Sequence, residues 1–141
     1  MPLSEGTGIQ VMAGRERISS GGPWEDIIGY SRAIKVGDTI WVSGCTGTMP
    51  DGTVASGIVA QAARALEVAG GALQQGGATL ADAVMVRVYL ADFAEFESIY
   101  PVLREHFGTS KPAMTAVQVA ALISPEQRVE IEIQAIAGSG S

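Results

Sequence analysis

The 141-residue sequence predicts an α+β fold, a single mixed β-sheet with two helices on one face. Three observations lead there. Val129 to Ala135 alternates apolar and polar without a break, the period of a strand with one face in a core. Residues 57–77 switch to a helical period, and a second helical stripe follows Asp92. The remaining ordered stretches read as strands, giving the order β, β-hairpin, α, β, α, β, β.

Taken in order, Met1 to Gly14 shows no clear period and reads as a frayed N-terminus. Arg15 to Ser20 is a short strand, and Gly21-Gly22-Pro23-Trp24 a loop whose Trp24 packs over a core edge. Tyr30–Val36 and Thr39–Gly44 flank Gly37-Asp38, which is a hairpin signature. In the first helix Val59, Ala62, Leu66, Ala69 and Leu73 form the buried stripe, while Gln61, Arg64, Glu67 and Gln74 face away. Ala65, Val68 and Ala72 form a second flank, expected to lie partly exposed, either as ordinary helix filler or as a surface for higher-order assembly.

Leu80-Ala81-Asp82 leads into a strand with Val84, Val86, Val88 and Leu90 on one face and Met85, Arg87 and Tyr89 on the other. Asp92 with Glu95 predicts a capping box for the second helix. Its stripe is Phe96, Ile99, Leu103 and Phe107, and Pro101 predicts a kink or a break. Thr115–Val119 and Val129–Ala135 close the sheet. Residues 1–137 make one domain, and 138–141 resemble a flexible linker. The sheet face away from the helices carries Met85, Arg87, Tyr89, Glu130, Glu132 and Gln134. That mixture suits a face that meets other subunits and leaves clefts between them.

Composition narrows the function. Only 17% of residues are charged, lean for a small monomer, which points to surface hidden in an oligomer. The net charge of −6 and the lack of a basic patch argue against nucleic acid as a partner. A single cysteine, Cys45, rules out an internal disulfide and a Cys-rich metal site. A single histidine, His106, rules out a His-cluster metal site and reads as a partly exposed helix residue. No apolar run approaches membrane-spanning length and no signal pattern opens the chain, so a cytoplasmic protein without a membrane partner is expected.

Four stretches resemble the Rid (YjgF) family. Gly29 to Asp38, followed by Ile40-Trp41-Val42-Ser43-Gly44, is similar to the family opening PYSxAVxxGxxxxVSGQ. Asp82–Asp92 is similar to DVVKTTVFLxD, Pro112–Leu122 to PARSxVEVxxL, and Val129–Ala137 to the closing VEIEAIA. The resemblance implies a chorismate-mutase-like fold, a homotrimer and three small-molecule clefts between subunits. It also implies hydrolysis of enamines and imines such as 2-aminoacrylate to 2-keto acids and ammonia, with no metal or organic cofactor.

Residue by residue, the resemblance carries over unevenly. Tyr30 matches the cleft tyrosine, Ser43 and Gly44 the Ser-Gly turn, Thr115 a serine, and Glu132 the glutamate that orients water. Cys45 stands where glutamine is usual and Tyr100 where asparagine often lines the cleft. Met114 stands where an arginine holds the substrate carboxylate. A thioether cannot replace that bidentate cation, so the site favours a neutral or apolar ligand. Arg87 either pairs with Glu132 or Glu130 across the strands or serves as an alternative anchor. Cys45 also reads as a small buried hydrophobe. The functional expectation is an imine deaminase, with a non-catalytic binder or a trimeric platform, natural or engineered, as the alternatives. Ribonuclease activity, also described in the family, fits poorly with the acidic charge and the lone histidine.

Overall fold

A computed structural model describes residues 7–140 of the chain. Its sheet has seven strands in the order β1-β2-β3-β4-β7-β5-β6. The strands are β1 (Thr7–Met12), β2 (Arg15–Ser20), β3 (Ala33–Val36), β4 (Thr39–Cys45), β5 (Ala83–Leu90), β6 (Ala113–Gln118) and β7 (Val129–Ile136). Only β5 and β6 run parallel, joined by a helical crossover; the other neighbours are antiparallel. Two helices, α1 (Ile58–Gln75) and α2 (Tyr100–Phe107), cover one face.

The expected mixed sheet with helices on one face is therefore present. Val129, Ile131, Ile133 and Ala135 of β7 are buried against Leu66, Ala69 and Leu73 of the α1 side, together with Val86, Val88 and Leu90 of β5. Glu130, Glu132 and Gln134 project the other way and are half-buried. The hairpin through Gly37-Asp38 also forms as expected.

Several expectations are corrected. Residues 7–12 form a strand paired with β2, although their pattern gives no period. Part of the stretch read as frayed, residues 1–6, lies outside the described residues. Val84 gives up its core place to Ala83, because the pairing of β5 with β7 slips by one residue between Ala83 and Met85. Trp24 is 49% exposed and opens a π-helical turn at Glu25–Gly29.

Along α1, Val59 of the expected stripe is 49% exposed, whereas Ala65 and Ala72 are buried and Val68 packs partly against the core. α1 meets the sheet and also the helical segments on its flank, so its buried surface is wider than one stripe. The Ala65-Val68-Ala72 flank thus supplies no free assembly surface. Small residues there allow close approach between packed layers.

Gln61, expected to face solvent, is buried and acts as a connector. Its amide nitrogen donates to the Ala55 and Glu126 carbonyls at 3.0 and 2.9 Å, and its amide oxygen accepts from the Arg128 N–H at 2.6 Å. A buried polar side chain is tolerated when its groups are satisfied in this way.

The second helix breaks in two as Pro101 predicts. Phe93–Ile99 is a 3₁₀ segment, and α2 begins beside it with Pro101 in its first turn, where a missing N–H costs nothing. Asp92 caps Ala94 N at 3.0 Å, but the reciprocal half of the expected capping box is missing. Glu95 is instead the ion-pair partner of Arg128, whose Nε donates to it at 2.8 Å. Residues 138–140 turn back onto the domain, and Gly140 N donates to Asp82 Oδ1 at 2.8 Å. Among the described residues no helix is long and apolar enough to cross a membrane.

Candidate functional site

The uncovered sheet face is built by the β5–β7 ladder. Antiparallel pairing sets Met85 opposite Gln134, Arg87 opposite Glu132 and Tyr89 opposite Glu130. Directly paired residues share a face, so these six side chains form one row, polar except for Met85. Tyr89 Oη passes over its direct partner and donates diagonally to Glu132 Oε1 at 2.6 Å. That bond, with burial second, holds the Tyr89 hydroxyl above its usual range. Arg87 Nη1 lies 4.0 Å from Glu132 Oε1, with both side chains well exposed. Such a loose pair in solvent contributes little to stability and leaves the guanidinium able to turn to a ligand.

Glu130 occupies a different environment. β4 bulges between Val42 and Cys45, which sets Gly44 directly over the Glu130 carboxyl group. A Cβ on Gly44 would lie 2.7 Å from Glu130 Cδ and closer still to Oε2. Burial pushes the Glu130 carboxyl above its usual range; the Arg32 charge opposes the shift and the neighbouring Glu132 adds to it. Among the described residues no donor meets its oxygens.

Arg32 links this corner to the segment before β3. Its Nη2 donates to the Gly44 carbonyl at 2.8 Å, and its Nε is buried with no hydrogen-bond partner. The guanidinium lies 5.9 Å from the Tyr30 ring centroid, within cation–π range. Ser43 fastens the same segment. Its hydroxyl donates to the Ser31 carbonyl at 2.7 Å, and its N–H to the Arg32 carbonyl at 2.9 Å. Tyr30, Ser43 and Gly44 are therefore tied through Arg32 and Ser31 into one corner, where Gly44 faces Glu130.

The other sequence-derived site residues divide. Thr115 pairs with Arg87 and joins the polar row from the edge strand β6. Met114 pairs with Val86, which puts it on the helix side of the sheet, yet at the edge it is 39% exposed. One protomer therefore does not bring Met114 and Glu132 together. Tyr100 sits in the helical layer, edge-on to Phe96 with ring centroids 5.1 Å apart.

Cys45 follows its reading as a small buried hydrophobe rather than as a cleft residue. The bulge turns it into the core opposite Ile131, fully buried, and its thiol is pushed up to about 11, chiefly by desolvation. It lines no cleft in this chain. His106 is half-buried, with Nδ1 2.9 Å from the Val102 carbonyl, and lines a separate hollow of about 510 Å³ with Lys111, Ser110 and Gly140. Among the described residues no group of three or more His, Cys, Asp or Glu is placed to hold a metal ion.

Glu130 and Arg32 were the neighbours that sequence reasoning underweighted. Strand parity already put Glu130 beside Glu132. Nothing local in sequence signals that Arg32 reaches Gly44, because that contact depends on the bulge.

Comparison with known proteins identifies the family. A family model described as "Endoribonuclease L-PSP" matches residues 24–137. The chain belongs to the Rid (YjgF) family. It is 43% identical over 110 residues to a RutC family protein of Pyrococcus abyssi, covering 77% of this chain and 84% of that one. It is 36% identical over 111 residues to the human 2-iminobutanoate/2-iminopropanoate deaminase, covering 77% and 80%. Among solved structures, a YjgF-family protein of Mycobacterium tuberculosis superposes with a TM-score of 0.81 at 39% identity, covering 87% of this chain and 99% of that one. RidA from an Antarctic Psychrobacter follows the same fold at a TM-score of 0.65 and 36% identity, covering 77% and 88%.

Proposed function

We propose that this Rid-family chain hydrolyses small imines and enamines to carbonyl compounds and ammonia, in clefts between the protomers of a homotrimer. The observation that carries this is Glu132, a half-exposed carboxylate on an uncovered sheet face, oriented by Tyr89 and flanked by Arg87. Similarity to an imine deaminase supports the same chemistry.

In the net reaction water adds its oxygen to the C=N carbon, the carbon–nitrogen bond breaks, and the nitrogen leaves with two added protons. Glu132 is the general base that takes the protons from oxygen. Met114 and Glu132 lie on opposite faces of one sheet, so a cleft lined by both takes them from two protomers. Uncovered apolar side chains on the Glu132 face, among them Trp41 and Ile136, are the surface such an assembly would bury.

The substrate carboxylate anchor is the point of departure from the family. Met114 presents no charge, so the parent cleft favours imines without a carboxylate, and Arg87 is the cation left to hold one. The test compares wild type and Met114→Arg as ammonia release above the uncatalysed rate. One substrate is 2-aminoacrylate, and the other is a neutral imine formed by an amine oxidase. Wild type is expected to favour the neutral imine, and Met114→Arg to gain at least tenfold on 2-aminoacrylate, the scale of one charge-assisted pair. Silence of both proteins on both substrates, with the oligomer intact, overturns the proposal.

A further inference from the structure

We infer that Glu130 is the proton donor of the site and forms with Glu132 a two-carboxylate acid–base pair. This rests on the hydrolase reading. The two side chains project from the same face of β7 two residues apart, about 7 Å along the strand. That spacing lets them bracket the oxygen and the nitrogen of one C=N group.

Their surroundings divide the roles. Glu132 receives the Tyr89 hydroxyl and faces the Arg87 guanidinium. Glu130 receives neither, although Tyr89 is its direct cross-strand partner. Its carboxyl group is tucked beneath the β4 bulge, in space left open only because residue 44 has no side chain. The charged groups around it are Arg32 from the segment before β3, Glu132 from its own strand, and Arg87 on β5. Arg32 is committed through Nη2 to the Gly44 carbonyl. Burial and the Glu132 charge both favour the protonated form of Glu130, against the opposing charge of Arg32. A carboxyl group whose surroundings favour its protonated form, set beside a second carboxylate, lets a site hold an acid and a base at one pH.

The proton count closes. Water adds to the imine carbon as Glu132 takes one water proton and Glu130 gives its proton to nitrogen, forming a carbinolamine. Glu132 then passes its proton to Glu130, which resets both groups. In the second half Glu132 takes the hydroxyl proton as the C=O bond forms. Glu130 protonates nitrogen again, the carbon–nitrogen bond breaks, and ammonia leaves. A second transfer from Glu132 to Glu130 restores the starting state. Oxygen has lost two protons and nitrogen has gained two.

The experiment is a pH–rate series on wild type, Glu130→Gln and Glu130→Asp, with circular dichroism and oligomer mass confirming the fold. Wild-type kcat falls at alkaline pH as the donor is lost. Glu130→Gln should lower kcat about 100-fold with little change in KM and abolish that falling limb, while Glu130→Asp recovers part of the rate and keeps the limb. A limb that belongs to the substrate's own ionisation would persist in Glu130→Gln and would count against the assignment. If wild type hydrolyses imines and Glu130→Gln stays within twofold with an unchanged profile, the inference is overturned and the hydrolase reading stands. If wild type is silent on every imine, both fall.

Discussion

Replacing Gly44 by alanine tests the packing that confines Glu130. The backbone at residue 44 is not left-handed, so alanine brings no conformational strain of its own. The added Cβ would lie 2.7 Å from Glu130 Cδ and 3.0 Å from Cγ, inside normal carbon–carbon contact. The obstacle is a flexible side chain rather than backbone, so the carboxyl group swings aside. The cost is about 1–2 kcal/mol, combining an off-rotamer side chain with modest overpacking.

A double-mutant cycle isolates that contact. Gly44→Ala, Glu130→Ala and the double variant are unfolded with urea at one protomer concentration, because assembly would shift apparent stability. Gly44→Ala should cost about 1–2 kcal/mol in wild type and close to zero once Glu130 is alanine, a coupling of at least 1 kcal/mol. Costs that add to within about 0.5 kcal/mol in the two backgrounds would refute the claim that Gly44 and Glu130 compete for one space.

Three further outcomes follow from the same contacts. Gln61→Ala removes one side chain and strands the Ala55 and Glu126 carbonyls and the Arg128 N–H, so chemical denaturation should show a loss of about 3 kcal/mol or more. Asp82 is subject to burial, which raises its pKa, but the N–H groups of Gly140, Thr79 and Gly138 outweigh this and hold it below the usual range. A depressed folded-state pKa stabilises above the unfolded value of about 3.9 and is lost as pH falls through the folded one. The stability gap between wild type and Asp82→Asn should therefore be present at pH 6 and close progressively below about pH 4. Cys45, with its thiol near 11, is about one part in a thousand thiolate at pH 8. Iodoacetamide should label it at the rate of unfolding, and labelling as fast as a free thiol would place it outside the core.

The sequence by itself determined the sheet apart from its first strand, the helices and the open polar row, because each of these rests on a local period. Val129 to Ala135 alternates strictly, so Glu130, Glu132 and Gln134 had to share a face whatever packed around them. Pro101 interrupts the helical pattern, so a kink or a break had to fall there, and the structure shows the break. Four stretches spread from Gly29 to Ala137 were enough to suggest the family.

Only the tertiary structure decided where periods slip and what long side chains meet. The bulge in β4 turned Cys45 inward and opened the space above Glu130, and the slip in β5 exchanged Ala83 for Val84. Neither leaves a mark on composition, since each depends on register against β7. Gln61 looked like a solvent residue because its type is polar. It is buried because three backbone groups from distant segments converge on one amide. The separation of Met114 from Glu132 has the same origin. Strand parity fixes the face of each residue, but only the pairing of β6 with β5 and of β5 with β7 shows that the two faces are opposite ones.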